Sequence, residues 1–235
     1  MVRVLGILPA RSGSKGVKNK NLRLLAGKPL LSWSAKALVD ARGVDIKICS
    51  TDSQEIAEVA KQTGLEVPFI RPADLATDDS AVISTIQHAL RWFEERGHDF
   101  SHVVLVQATS PTVKSADIEN GLKIIQEGHA DSVVTAVEVP PHFHPAVLFE
   151  ESNEARVSWL MGNTETSRRR QDWSRYLARV GLLYTFSVKD ILDRGVLWGD
   201  RIAYLEVEPF RAINIDVEED FTLAEKYFST NEGAM

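Results

Sequence analysis

The chain has 235 residues, 44% apolar and 26% charged, with a net charge of −6 at pH 7 and a single cysteine. This length buries a substantial core, and the composition is that of a globular chain rather than a disordered one. The acidic balance argues against a dedicated nucleic-acid binder, and the lone Cys49 excludes an intrachain disulfide.

In chain order, apolar runs alternate with helical periodicity, which predicts an α/β fold. The opening "MVRVLGILPAR" lacks a basic leader and a cleavage site, and "VRVLGILP" (2–9) reads as a buried strand. "PLLSWSAKALVDA" (29–41) follows, with Leu31, Ala35 and Leu38 on one helical face. "DIKICST" (45–51) is a second strand that carries Cys49 inward as an inert thiol. A helix over 53–64 has Ser53 as its cap and Gly64 as its stop. The next helix, 80–97, aligns Ile83, Ile86, Leu90 and Phe93 behind a capping Ser80. "HVVLVQ" (102–107) is a strand running into "ATSPT", followed by a helix over 115–128 and a strand over 131–139. Residues 140–179 are rich in aromatics and Arg without a clean period, and read as an arm inserted into a single domain spanning 1–235. His142 and His144 lack a third metal ligand and are expected on a prolyl loop, at the surface or facing a substrate. Strands over 180–186 and 202–207 and a helix over 218–228 complete the chain. No apolar stretch reaches the roughly 18 residues of a membrane helix, so a cytoplasmic protein without a membrane partner is expected.

Charge is segregated along this order. Residues 1–39 contain eight Lys or Arg and no Asp or Glu, whereas residues 40–235 carry 19 basic and 33 acidic side chains. The basic residues concentrate in "ARSGSKGVKNKN" (10–21), directly after the first predicted strand. Open α/β sheets bind ligands outside the carboxyl ends of their strands. Backbone N–H groups freed by Gly13 and Gly16 suit phosphate oxygens, and Arg11, Lys15 and Lys20 add charge. Neither the G-x-x-x-x-G-K-[ST] nor the G-x-G-x-x-G spacing is present.

The order of residues in this loop carries a resemblance. "LPARSGSKGVKNKN" (8–21) resembles the signature loop of the CMP-sialic acid synthetases, the acylneuraminate cytidylyltransferases, whose pattern is close to L-P-A-R-G-G-S-K-G-(I/V/L)-x-x-K-N. Arg11, Ser12, Gly13, Ser14, Lys15, Gly16, Lys20 and Asn21 fall in step, with Ser12 in place of a common Gly. "STDSQEIAEVA" (50–60), "RPADLATDDS" (71–80), "VQATSP" (106–111), "RRRQDWSRY" (168–176) and "INIDVEEDFTLAE" (213–225) continue it through nearly the whole chain.

The resemblance implies a Rossmann-like, mostly parallel central sheet flanked by helices, of the nucleotide-diphosphosugar transferase type. It also implies transfer of CMP from CTP to the anomeric hydroxyl of a nine-carbon, sialic acid-like sugar acid, with release of pyrophosphate. In that reading Arg11, Lys15 and Lys20 hold the triphosphate, and Lys20 stabilises the transition state and leaving group. Ser12, Gly13, Ser14, Asn21 and Arg71 complete the nucleotide site. Gln107 contacts the acceptor sugar with Ser110 nearby, and Arg169 or Arg170 grips its carboxylate. Mg²⁺ or Mn²⁺ would be held chiefly by Asp216, which is catalytic in this sense, with Asn214 as a weaker, water-mediated ligand. Segment 140–179 would form a homodimer and reach the acceptor site, burying Phe143, Phe149, Trp159, Trp173 and Tyr176.

Three positions depart from the family pattern. Asn214 replaces the first Asp of a D-x-D motif, Val180 replaces a common Asn before Gly181, and Val147 replaces a common Lys after "HP". The last two bear on the identity of the sugar more than on the reaction. Two alternatives follow: a cytidylyltransferase for an eight-carbon, 3-deoxy-octulosonate-type acid, and a catalytically inactive nucleotide-binding relative. A phosphatase-type hydrolase would need a further domain.

Overall fold

The computed structural model describes residues 3–13, 16–152, 156–162 and 169–230. Strand β1 (Val4–Pro9) opens the chain, and a small hairpin, β2 (Leu24–Leu25) and β3 (Lys28–Pro29), leads into helix α1 (Leu30–Asp40). Then come β4 (Ile46–Ser50), α2 (Gln54–Gln62), α3 (Val82–Glu94), β5 (His102–Val106), α4 (Ser115–Gln126) and β6 (Ser132–Glu138). The arm carries a second hairpin, β7 (Phe149–Ser152) and β8 (Arg156–Trp159). β9 (Leu177–Ser187), β10 (Ile202–Glu206) and α5 (Glu218–Thr230) follow.

The central sheet has six strands in the order β10-β6-β9-β5-β1-β4. All run parallel except β9, which is antiparallel to both β5 and β6. Helices cover both faces, so the inner parallel strands β1 and β5 are nearly continuous apolar runs rather than alternating ones. Along β1, Val4 and Leu8 join a cluster built on α1, α2 and α4, while Leu5 and Ile7 join one built on α3. That division is the two-residue period of a pleated strand.

Predicted and observed elements agree to within three residues at either end. Ser53 caps α2, its Oγ accepting the Ile56 N–H at 3.4 Å, and Gly64 follows that helix with φ +97°. Ser80 does not cap α3. Its hydroxyl bonds the Thr77 hydroxyl at 2.7 Å and donates to the Asp74 carbonyl at 2.8 Å, so it closes the preceding turn, while Ala81 begins the helix without a side-chain cap. Cys49 is fully buried, and burial pushes its thiol up to about 12.

The last three residues of the predicted arm, 177–179, are the start of β9. His144 is buried rather than surface-facing: Nδ1 accepts the Ala146 N–H at 3.1 Å, Nε2 meets the Ser174 carbonyl at 2.9 Å, and the ring stacks on Trp173 at 4.5 Å. Tyr176 meets the same ring edge-on at 4.9 Å. Trp173 and Tyr176 therefore pack within their own chain. Phe143, Phe149 and Trp159 remain exposed, the latter two with ring centroids 4.2 Å apart on the β7–β8 hairpin.

A third cluster, absent from the sequence reading, joins both ends of the chain. Val17, Leu25 and Leu30 pack against Ile213, Ile215, Phe221, Ala224 and Phe228. Beside it, Arg211 forms an ion pair with Asp117 in which both side chains are buried, and it donates to the Thr112 carbonyl at 3.2 Å. These contacts fix the segment before α5 against the carboxyl end of β5.

Candidate active site

A cleft of about 720 Å³ opens at the carboxyl ends of β1 and β5. The chain leaves β1 for β4 on one side of it and returns as β5 on the other, so the cleft lies where the strand order reverses. The loop after β1, the 71–82 segment, the end of β5, three residues of β9 (Arg179, Tyr184 and Phe186) and Asp216 line it.

Ile213 and Ile215 are buried in the third cluster, and this alternation leaves Asn214 and Asp216 outside it. The Ile215 N–H also donates to the Thr109 carbonyl at 2.9 Å. Lys20 Nζ donates to the Ile215 carbonyl at 2.6 Å and to Asp216 Oδ1 at 2.9 Å. The other carboxylate oxygen of Asp216 accepts from Asn214 Nδ2 at 2.6 Å. Asn214 Oδ1 in turn accepts from the Thr109 hydroxyl at 2.6 Å and from Ser110 at 3.4 Å. Asn214 thus spends its carbonyl oxygen on Thr109 and holds Asp216 in place with its amide N–H. The expected second metal ligand is a positioning group in this arrangement. Asp220 accepts the Asp216 and Val217 N–H groups at 2.7 and 2.9 Å and so closes the turn that leads into α5.

Gly16 passes directly over this pair. A Cβ built there would lie 2.1 Å from the Asp216 carbonyl oxygen, so only glycine allows the approach. Arg11 lines the cleft and pairs with Asp78 at 2.5 Å. Asn21 is buried. Its Nδ2 donates to the Arg11 carbonyl at 3.0 Å, and its Oδ1 has no protein partner among the described residues. Ser12 is tied to Asp52 twice, by its N–H at 2.9 Å and its hydroxyl at 2.6 Å. Burial pushes the Asp52 carboxyl up, but the two bonds from Ser12 and the charge of Arg71 outweigh it, so the carboxyl sits below the usual aspartate range. Arg71 is buried, donates to Thr85 Oγ1 at 3.1 Å, and keeps Nε unpartnered. Gly13 is exposed, and Ser14 and Lys15 lie outside the described residues.

On the β5 side, Gln107 lines the cleft and Ser110 does not. Ser110 is fully buried and donates to the Gly181 carbonyl at 2.8 Å, which makes it a tie between loop and sheet rather than a sugar contact. Thr109 lines the cleft in its place. Gly181 leaves room for Gln107: a Cβ there would lie 3.0 Å from Gln107 Oε1. Arg169 and Arg170 do not line the cleft of their own chain. Both are exposed on the arm, and Arg169 pairs with Asp172 at 3.1 Å with its side chain 78% exposed.

The structure adds residues that sequence reading missed. Thr77, Asp78 and Ser80 belong to the "RPADLATDDS" block, which had pointed only to Arg71. Tyr184, Phe186, Leu197 and Trp198 form an aromatic wall with Arg179 beside it. Nothing in the sequence pattern marked Trp198, because it follows a π-helical turn, Asp190–Arg194, in a stretch without periodicity. Among the described residues no group of three His, Cys, Asp or Glu is arranged to hold a metal ion. A metal bound here would rest on Asp216 and on oxygens of the substrate, which is a normal donor set for Mg²⁺.

Comparison with known proteins agrees with this architecture. The family model described as "Cytidylyltransferase" matches residues 5–154. The chain is 32% identical over 241 aligned residues to the CMP-N,N'-diacetyllegionaminic acid synthase of Legionella pneumophila, covering all of both proteins. It is 31% identical over 223 residues to N-acylneuraminate cytidylyltransferase A of Danio rerio, covering 95% of this chain and 50% of that one. The chain thus spans about half the length of that vertebrate relative. Among solved structures, a CMP:2-keto-3-deoxy-manno-octonic acid synthetase complexed with CTP superposes with a TM-score of 0.72 at 14% identity, over 97% of this chain and 99% of that one. At that identity the likeness establishes the fold. From the family match over most of its length, and from a relative aligned end to end, this chain belongs to the cytidylyltransferase family.

Proposed function

We propose that this chain transfers CMP from CTP to the anomeric hydroxyl of a nine-carbon, sialic acid-like sugar acid and releases pyrophosphate. The observation that carries the reading is the juxtaposition, in one cleft, of Lys20 and Asp216 with Gln107, at the strand-order reversal. The relatives named for legionaminic, pseudaminic and N-acylneuraminic acids support the acceptor class.

In this mechanism the acceptor oxygen bonds to the α-phosphorus, the bond from that phosphorus to the β-phosphate bridging oxygen breaks, and the hydroxyl proton is released. The residues position the partners and neutralise charge. Arg11, with Lys15 outside the described residues, receives the triphosphate. Lys20 exchanges Asp216 for phosphate oxygens and stabilises the leaving pyrophosphate. Asn21 Oδ1 and Arg71 Nε offer an unpaired acceptor and donor to the nucleotide. Asp216, aimed by Asn214, would hold Mg²⁺ or Mn²⁺, which when bound neutralises phosphate oxygens. Gln107 orients the sugar hydroxyls.

The same reading includes a cytoplasmic location, where CTP is available, and a homodimer. The exposed Phe143, Phe149 and Trp159 of the arm support the dimer as apolar anchors. Sedimentation near twice 26.1 kDa is expected, and a monomer mass at micromolar concentration would remove it.

The direct test is pyrophosphate release from CTP, ATP, GTP and UTP, with and without a panel of nine-carbon acids and the eight-carbon acid. Release confined to CTP plus a nine-carbon acid is expected. Release with the eight-carbon acid alone, or silence across the panel, would overturn the reading.

A further inference from the structure

Four cations line the cleft in the described residues, and three are already engaged. Arg11 pairs with Asp78, Lys20 with Asp216, and Arg71 donates to Thr85. Arg179 has neither a hydrogen-bond partner nor an acidic one among the described residues. Its guanidinium instead lies against two aromatic rings of the cleft wall, 5.8 Å from the Tyr184 centroid and 5.4 Å from that of Trp198. Such contacts fix a guanidinium without consuming its N–H donors.

A break in the sheet puts it there. On β6, Val134 faces Tyr184 of β9 but the next residue, Thr135, faces Val180, so three residues of β9 bulge out. Leu182 and Leu183 consequently enter the same core although they are adjacent. The Thr135 hydroxyl holds the bulge, donating to the Val180 and Leu183 carbonyls at 2.8 and 3.1 Å. Arg179 and Tyr184 are five apart and would point to opposite faces of a regular strand. The bulge brings them to one side, a use of bulges that recurs beside binding sites.

The position also separates Arg179 from the phosphate loop. β9 lies two strands from β1, about 10 Å across the sheet, and the bulged Gly181 touches Gln107. We propose that Arg179, braced on Tyr184 and Trp198, is the side chain that grips the carboxylate of the acceptor acid. This rests on the reading of the reaction given above. It gives Arg179 the task expected of Arg169 or Arg170, which the fold leaves on the arm. A guanidinium fork matches a carboxylate with two parallel bonds, which an ammonium does not.

The test uses the full chain, CTP, and whichever sugar acid supports turnover, together with the carboxamide of that acid. Replacement Arg179→Ala should raise KM for the acid about 10- to 100-fold, the loss expected for a charge-assisted bidentate contact. CTP affinity by calorimetry and the melting temperature should stay at wild-type values, and Arg179→Lys should recover only part of the loss. Wild type should prefer acid to carboxamide by a similar factor, and Arg179→Ala should lose that preference. An unchanged acceptor KM in Arg179→Ala overturns the assignment while leaving the reaction intact. Weakened CTP binding also overturns it, since the guanidinium would then serve the triphosphate. So does an acceptor defect that appears in Arg169→Ala or Arg170→Ala and not in Arg179→Ala. A wild-type chain that turns over no sugar acid sinks the functional reading itself, and this assignment with it.

Discussion

Replacing Asn214 by Asp restores the D-x-D pattern and tests the hydrogen-bonded chain from Thr109 through Asn214 to Asp216. In wild type, Asn214 Nδ2 donates to the Asp216 carboxylate at 2.6 Å. A bond to a charged group contributes about 1.5–3 kcal/mol when sheltered, and about 1 kcal/mol where the carboxylate is as open to water as Asp216, 65% exposed. Asn214→Asp removes that bond and sets two like charges about 4 Å apart, which costs a further 1 kcal/mol or so in a water-like dielectric. Lys20 offsets part of this, and the Thr109 hydroxyl can still donate. A net loss of about 1–2 kcal/mol is expected in EDTA, a fall in melting temperature of roughly 2–8 °C for a chain of this size. Two adjacent carboxylates form a better Mg²⁺ site than one. Mg²⁺ at ten times its dissociation constant returns about 1.4 kcal/mol, so added Mg²⁺ should recover much of the loss. Asn214→Ala loses the bond without gaining charge, and Mg²⁺ should not rescue it. Thermal unfolding with and without Mg²⁺ reads both effects. An unaltered melting temperature for Asn214→Asp in EDTA refutes the Asn214–Asp216 contact. A destabilised variant that Mg²⁺ fails to rescue refutes the placement of the metal.

Three further outcomes are expected. Asp117→Ala leaves the buried Arg211 with the half-exposed Glu208, 2.8 Å away, as its remaining acidic partner, and should destabilise the chain by about 1.5–3 kcal/mol in urea unfolding, the scale of a lost bond to a charged group; a loss under 1 kcal/mol would mean that the pair is solvated. Gly16→Ala forces the loop off the Asp216 carbonyl, so kcat should fall about 100-fold, the scale of a 1 Å misplacement, and wild-type turnover would show that the loop does not pass there. Because the Asp52 carboxyl is held below its ordinary value, its stabilising effect is complete above the unfolded aspartate range and disappears as pH falls through the lower folded value. The stability gap between wild type and Asp52→Asn should therefore be full near neutrality and close in acid; a gap that is absent at pH 7 removes the Ser12 tether.

The order and type of the main elements were legible in the local residue pattern. Apolar period and apolar run length depend only on local residues, and burial on both faces of a parallel sheet leaves its mark strand by strand, as in β1. The sequence also placed Lys20, Gln107 and Asp216 as candidates, because each stands in a short block with a fixed order. The rest depends on contacts between residues far apart in the chain. Whether Asn214 offers oxygen or N–H depends on Thr109, 105 residues away, which no local pattern encodes. Ser110 points into the protein because Gly181 accepts its hydroxyl, and Ser80 closes a turn because Asp74 and Thr77 lie within its reach. Arg179 joined the cleft only through a bulge, and a bulge breaks the two-residue alternation from which strand faces are read. A charged triplet at 168–170 drew attention from composition, while Arg179 sat at the start of a strand, inside what read as the end of the arm. Side-chain direction and pairing are set by what folds against a residue, so which arginines line the cleft became legible only once the sheet was assembled.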